Sequence, residues 1–515
     1  MRNKDAHHPR FPWAAMLIVV ASALLPAFWA AAQDGGPDPT AEIASIVPRD
    51  TLLYVEIPKP AELWAELQAT ELRQAVRSSF YAELAVNFAA ATADLLSKSL
   101  TDRSLGEVAS RYKPEAAIAF CPRPPAGSKD PCWVAILAAR ENTAELHNLL
   151  NEHVDAALAA RFPKLKVTTE KIAGRDVKLF TFSKKCVWGL AFVGDHVVFG
   201  QRPAVAWLLG SRRFIGGDTS FEAARAKLIP ADRASIFCYT QITAAAGEDS
   251  YIYGTGTRIA GVLEVDGKFI RDEALLTGNL RLPAVGGKQP CRITAAFPQG
   301  CFLVNQISFA SGSEMLGFFG IAEDMPAGEP VDKVFTGTGF VAGTAGPDGP
   351  GVILAAELAK PDGVAPLLEK MGFRKEEGGL ESAVWRRAAI KAAVKGNFIY
   401  VARQEEINDL MKKLSAAPGA KIEYSPEFTQ ALKRLPETAH GHSHMSAQFM
   451  GKMACIGAMT HIEPVFAKLS PSVARACSTA EGVSIWSVSP CGYGIWLVSA
   501  NIEAMTKKSE ARSPQ

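Results

Sequence analysis

Short apolar runs alternate along this chain with stretches in which apolar residues recur at helical spacing. Residues 51–57 and 133–139 are apolar runs of strand length. Residues 63–76 and 144–154 instead carry apolar residues three or four positions apart, as one face of a helix does. The pattern therefore predicts strands and single helices that follow one another along the chain.

Several pairs of predicted strands are joined by short turns. The clearest pair is 187–193 and 196–200, because Gly194-Asp195 between them tolerates the positive φ of a tight hairpin turn. Hairpins place neighbouring strands antiparallel, and the interleaved helices must bury an apolar face against the sheet. We therefore predict an α+β fold in which mainly antiparallel sheet is covered by helices on one face.

Four blocks from the first half of the chain recur in the same order in the second half. The matched blocks are 47–55 with 297–305, 134–139 with 352–357, 194–199 with 396–401, and 220–230 with 426–436. The order is kept and only the gaps change in length, which is typical of a duplication. We predict two homologous repeats at residues 41–285 and 286–505, followed by a polar tail at 506–515.

The first repeat opens with a recognisable motif. Residues 46–58 read IVPRDTLLYVEIP, and the hairpin turn and the predicted duplication accompany this opening. Together they resemble a large family of exported bacterial proteins known only as a domain of unknown function, with the opening VPxDTLxYVxxP. The second repeat departs from it, since Gly300-Cys301 stand where Asp50-Thr51 stand in the first. The resemblance implies the fold and export, and it implies no functional residue because the family has no assigned activity.

The N-terminus has the three parts of a secretory signal peptide. Basic residues precede an apolar stretch at 13–29, and Ala30-Ala31-Ala32 follows as a cleavage site. We predict a signal peptide at 1–32, a flexible leader at 33–40, and export to the periplasm or the extracellular space. The alternative is an uncleaved anchor, since the apolar stretch is only slightly short for a membrane span. No later run predicts membrane insertion.

Composition and net charge indicate which classes of binding partner to expect. The chain has 515 residues, 48% of them hydrophobic, which is enough apolar material for a large core. It has 55 basic and 53 acidic residues, and removal of the predicted signal peptide leaves 52 of each. A nucleic-acid partner requires a basic excess, so we predict none. An envelope component or a small ligand is the expected partner, and its identity stays open.

The nine cysteines are too sparse for a disulfide scaffold. Cys121 and Cys132 bracket a loop rich in proline and glycine that joins two apolar runs. They are the best candidates for a disulfide that closes this hairpin. Cys455, Cys477 and Cys491 are candidates for a second bridge.

The strongest local anomaly is a histidine cluster. His440, His442 and His444 alternate, so on a strand all three point to one face, and His461 lies near in sequence. Imidazoles bind zinc and copper, and the nearby methionines favour Cu⁺. At the matching positions of the first repeat, 234, 236 and 238, this face is apolar. A metal site and a strand without metal therefore both stay open.

No familiar catalytic motif is present in the sequence. It contains no phosphate-binding loop, no Gly-x-Ser-x-Gly elbow and no His-Glu-x-x-His pair. We name no catalytic residue and leave open whether the chain is an enzyme. The preferred hypothesis is an exported, non-enzymatic binding or structural protein without a cofactor. Copper or zinc binding is one alternative, and a hydrolase with dispersed catalytic residues is the other.

Overall fold

The computed structural model describes most of the chain between residues 43 and 492. The described ranges are 43–78, 105–122, 132–162, 164–183, 186–229, 235–241, 256–280, 286–298, 300–319, 331–346, 349–376, 383–415, 422–447, 449, 468–490 and 492. The chain divides into two compact units, which separate after Leu280. The predicted signal peptide, leader and polar tail lie outside the described residues, as do His461, Cys455 and Cys491.

The first unit is built on one antiparallel sheet. Its strands are β1 (Leu53–Ile57), β2 (Pro114–Phe120), β3 (Trp133–Ala139), β4 (Lys166–Ile172), β5 (Arg175–Ser183), β6 (Cys186–Val193), β7 (His196–Gln201), β8 (Ser235–Gln241), β9 (Arg258–Asp266) and β10 (Phe269–Thr277). The order across the sheet is β4-β5-β6-β7-β3-β2-β1-β8-β9-β10, and every neighbouring pair is antiparallel.

The second unit contains a sheet of the same strand order. Its strands are β11 (Gln289–Pro290), β12 (Cys301–Ser308), β13 (Phe335–Gly346), β14 (Gly349–Leu358), β15 (Arg374–Lys375), β16 (Ala383–Arg387), β17 (Ile390–Lys395), β18 (Phe398–Arg403), β19 (Thr438–Ala439), β20 (Gly441–Met445), β21 (Ser472–Thr479) and β22 (Gly482–Ser489). The antiparallel order is β15-β16-β17-β18-β14-β13-β12-β20-β21-β22, and β11 pairs separately with β19.

The helices between these strands are mostly short. In the first unit they are α1 (Pro60–Leu67), α2 (Glu71–Arg77), α3 (Leu105–Tyr112), α4 (Thr143–Arg161), α5 (Arg202–Gly210) and α6 (Thr219–Leu228). In the second they are α7 (Ile293–Ala296), α8 (Gly312–Phe318), α9 (Val331–Val334), α10 (Val364–Lys370), α11 (Gln404–Ser415) and α12 (Pro426–Leu432). Within the described part of the chain, no helix is long and apolar enough to cross a membrane.

Helices pack against both faces of each sheet. In β14, Ile353 and Ala355 share a core with α11, whereas their neighbours Ala356 and Leu358 share another with α8 and α10. Successive side chains of a strand point to opposite faces, so these two cores lie on opposite sides of the sheet. In the first unit, α5 and α6 lie over one face of β3 and α4 over the other. Strand β1 is buried along its whole length.

The predicted fold class, an α+β fold of two homologous repeats with helices covering one face, is wrong. Strands make up 46% of the structure against 30% for helices, so the chain is mostly antiparallel sheet. Alternation along a strand is visible in sequence, but it does not reveal which helix packs on which face. The equal strand order of the two units is a statement about topology, and it does not show that they are homologous copies.

The predictions of single strands and turns agree better with the structure than the predicted fold class does. The strand predicted at 133–139 is β3 residue for residue, and Gly194 has a φ of +58° in the turn between β6 and β7. Strand β21 is missing from the prediction because Arg475 interrupts its apolar pattern. It pairs antiparallel with β22.

Candidate functional site

The structure places the predicted histidine cluster in the core of the second unit. His442 and His444 lie on β20 and are buried, while His440 precedes the strand and is half-buried. They alternate along the strand with the half-buried Gly441, Ser443 and Met445, so His442 and His444 point to the same face of the sheet. Strand β20 lies between β12 and β21, so it is an interior strand and not an exposed edge.

Each of the three rings has its own hydrogen-bond partner. The Nδ1 atom of His440 accepts from the backbone N–H of Ser478 at 2.8 Å. The Nε2 atom of His442 lies 2.8 Å from the carbonyl oxygen of Gln289, to which it donates. The Nδ1 atom of His444 lies 3.2 Å from the hydroxyl of Tyr424. The rings are thus fixed by three separate parts of the chain.

Burial keeps the two interior imidazoles neutral. Desolvation lowers the pKa of His444 to about 4, and it also lowers the pKa of His442, where the nearby Arg475 guanidinium acts in the same direction. Burial raises the pKa of Tyr424, so its hydroxyl stays protonated and donates to Nδ1 of His444. Nδ1 of His442 is buried without a hydrogen-bond partner among the described residues.

Two polar side chains flank His442 on the neighbouring strands. Gln306 of β12 and Arg475 of β21 are its direct cross-strand partners. Gln306 accepts from the backbone N–H of Arg292 at 2.7 Å and donates to the carbonyl of Pro290 at 2.9 Å. Arg475 donates to the carbonyls of Leu435 and Pro436, just beyond α12. The row Gln306, His442 and Arg475 therefore anchors loop backbone to the sheet.

The hydrogen bonds of the three histidine rings fit a structural role better than metal binding. In the part of the chain that the structure describes, no three histidine, cysteine or carboxylate side chains converge as metal ligands. Nε2 of His442 is turned to a carbonyl, and Nδ1 of His440 and His444 each receives a hydrogen bond. Copper or zinc binding by His440, His442, His444 and His461 stays a prediction, since His461 lies outside the described residues.

A second candidate site is an apolar cavity on the other side of the second unit. Its volume is about 330 Å³, within the range of small-molecule sites. One wall is formed by side chains of β14, β17 and β18, and the opposite wall by α8, α10 and the residues that follow them. The lining residues are Leu316, Phe319, Phe335, Leu354, Ala355, Ala356, Val364, Leu367, Leu368, Met371, Phe373, Arg387, Ala388, Ile390, Ile399 and Val401.

Local sequence explains why space remains between these walls. Ala356 presents only a methyl group to the core that β14 shares with α8 and α10. Arg387, at the turn between β16 and β17, is the one charged residue among the described residues of the lining. It is exposed, as is the neighbouring Ile390, so the cavity opens to solvent at this turn. No sequence pattern indicates the cavity, because its lining comes from many separate segments of ordinary apolar residues.

The first unit holds a buried charge cluster that no local sequence pattern indicates. Glu56 of β1 is bound by Arg225 of α6 through two hydrogen bonds, at 3.2 and 2.7 Å. The hydroxyl of Tyr54 donates to the same carboxylate at 3.1 Å. Burial and this carboxylate raise the pKa of Tyr54, so its hydroxyl remains a donor. Charge and hydrogen bonds are matched within the cluster, and we assign it a structural role.

Comparison with protein-family models, with curated proteins and with solved structures finds no match for this chain. The resemblance of residues 46–58 to a family of exported proteins therefore stays a prediction. A function has to be inferred from the chain's own geometry, and of the sites described above the cavity is the one with room for a ligand.

Proposed function

We propose that this chain is a non-enzymatic binding protein and that its second unit holds a small apolar molecule in the cavity beside β14 and β18. The observation that supports this most directly is the lining, which is apolar at every described position except Arg387. Burial of apolar ligand surface gives about 25 cal/mol per Å², so such a lining suits a ligand with an apolar body. Export to the periplasm or cell envelope remains part of the proposal.

The residue types around the cavity favour binding over catalysis. General acid–base chemistry requires a titratable side chain within hydrogen-bond reach of the substrate. Among the described lining residues, only Arg387 is charged, and an arginine guanidinium does not exchange protons near neutral pH. Its position at the open end suits a ligand whose polar end is anionic.

Filling the cavity is expected to weaken binding. The probe is N-phenyl-1-naphthylamine, a neutral apolar molecule whose fluorescence rises in apolar surroundings. Val401→Trp places an indole in the cavity, and we expect the Kd of the probe to rise at least tenfold, which corresponds to about 1.4 kcal/mol. Phe199→Trp is the control, because Phe199 lies on β7 of the first unit, outside the lining, and is 36% exposed.

The proposal fails if the unaltered protein shows no saturable binding, or if both tryptophan variants bind the probe as the unaltered protein does. Circular dichroism and a thermal melt of each variant separate loss of the cavity from loss of the fold. An equal loss of binding in Phe199→Trp would also contradict the assignment, because that side chain is not part of the cavity.

A charged probe tests the role of Arg387. Anilinonaphthalene sulfonate has the same ring system as the neutral probe and adds an anionic sulfonate. We expect Arg387→Gln to weaken the sulfonate probe about two- to fivefold, the usual size of an exposed ion pair, and to leave the neutral probe unchanged. Arg386→Gln is the matched control, since Arg386 is also exposed and lies outside the lining. Equal effects of the two variants on the sulfonate probe would exclude a role for Arg387 in binding the anionic end of a ligand.

A further inference from the structure

Cys121 and Cys132 lie directly opposite each other in the first unit. Strands β2 and β3 pair as far as Phe120 and Trp133, and the backbone N–H of Cys121 continues the ladder by donating to the carbonyl of Cys132 at 2.8 Å. Opposed residues of an antiparallel hydrogen-bonded pair have Cα atoms about 5.5 Å apart. That separation is the one at which disulfides are most often found.

The two side chains also point the same way. Both are buried, and both belong to the core that β3 shares with α5 and α6. Cross-strand neighbours on one face of a sheet have adjacent Cβ atoms, so the two sulfur atoms need no backbone movement to meet. Cys238 offers a contrast, because its cross-strand partners are Val55 and Gly261 and neither carries a thiol.

We infer that Cys121 and Cys132 form a disulfide that fastens the loop end of the β2–β3 hairpin. Both residues are thiols in this structure, which is the reduced state. In the oxidation, the two S–H bonds break and one S–S bond forms, with the loss of two protons and two electrons. A disulfide of a thiol oxidoreductase accepts the electrons and protons and becomes a dithiol. Because both thiols are buried in the fold, the exchange takes place while the hairpin is still open.

Such a bond would close the loop between β2 and β3. The ten residues from 122 to 131 include four prolines and one glycine. A cross-link at the ends of the loop removes conformations from the unfolded chain, and that gain grows slowly with loop length. The disulfide is thus expected to stabilise the first unit independently of ligand binding in the second.

Peptide mapping provides a direct test. The full chain is expressed with its N-terminal segment in a bacterium with an oxidising periplasm, purified from the periplasm without reductant, and treated with N-ethylmaleimide under denaturing conditions. Trypsin then releases Cys121 in Tyr112–Lys129 and Cys132 in Asp130–Arg140, each as the single cysteine of its peptide. We expect one species with the summed mass less two hydrogen atoms, which separates into the two peptides on reduction. Maleimide on both cysteines of this protein would overturn the inference.

Thermal unfolding tests whether the disulfide stabilises the first unit. We expect reductant to lower the Tm of the first unit by roughly 5–10 °C, the shift that a cross-link of this loop length implies. Cys121→Ser should remove this response to reductant, whereas the matched change Cys238→Ser should keep it. A reductant response of equal size in all three proteins would place the sensitive bond elsewhere and contradict the assignment.

Discussion

Replacement of Arg225 by methionine is expected to destabilise the first unit by about 3–5 kcal/mol, the usual cost of removing one partner from a buried ion pair. The side chain of Glu56 is only 3% exposed and that of Arg225 29%, so the pair is largely removed from water. Methionine keeps much of the apolar stem of arginine but leaves the Glu56 carboxylate without its counter-ion. The Tyr54 hydroxyl alone does not compensate for that charge.

The chain provides a control with the same geometry and a different environment. Arg202 binds Glu170 through the same two nitrogens, at 3.1 and 2.6 Å, but both side chains are about 40% exposed. Solvent screens such a pair, so Arg202→Met should cost no more than about 1 kcal/mol. Hydrogen exchange of the β1 amides, followed by mass spectrometry in increasing urea, reports the first unit alone. Equal losses in the two variants would contradict the role assigned to burial.

A double variant separates loss of the charge pair from loss of packing. Glu56→Met together with Arg225→Met replaces both ions by apolar groups of similar length. Such replacements are often close to neutral, so the double variant should recover most of the stability that Arg225→Met loses. If it is less stable than the single variant, packing of the arginine stem and not charge accounts for the loss.

Glu56 also illustrates how far sequence reasoning reached. The apolar run from 51 to 57 predicts β1 correctly in kind, because such a run is a property of neighbouring residues. The burial of Glu56 depends on Arg225, which is 169 positions away in sequence, and no local pattern contains that pairing. The predicted layer of helices on one face failed for the same reason, since it required knowledge of long-range packing.

The same distinction between local and long-range information applies to the two candidate sites. That His442 and His444 share a face follows from the period of a strand, and sequence alone gives it. Their partners Gln289 and Tyr424 come from distant segments, so the neutral, hydrogen-bonded state of the rings became visible only in the fold. The cavity gave no sequence signal because leucine, valine and alanine line it as they line any core.

Acid is expected to destabilise the second unit through His444. The pKa of this imidazole is about 4 in the fold, whereas an exposed histidine of the unfolded chain has a pKa near 6.5. Between these values the unfolded chain binds a proton that the folded chain does not, so stability falls as the pH falls from about 6.5 to about 4. Above pH 6.5, His444 is neutral in both the folded and the unfolded chain, so it does not make the free energy of unfolding depend on pH. The total loss is about 3 kcal/mol, at 1.36 kcal/mol per pKa unit.

A variant without a titratable side chain at position 444 separates the pH dependence of stability that His444 causes from that of the other titrating groups. His444→Gln keeps an oxygen that accepts from Tyr424, so its free energy of unfolding, measured by hydrogen exchange of β20 and β12 amides, should vary less with pH between 6.5 and 4. His440→Gln is the control, because His440 is only half-buried and its removal should change the slope less. Carboxylates contribute equally to the unaltered protein and to both variants, so the differences report the histidines alone. Equal slopes for the unaltered protein and His444→Gln would show that His444 is protonated in the fold without penalty, and the account of a desolvated neutral ring would then be wrong.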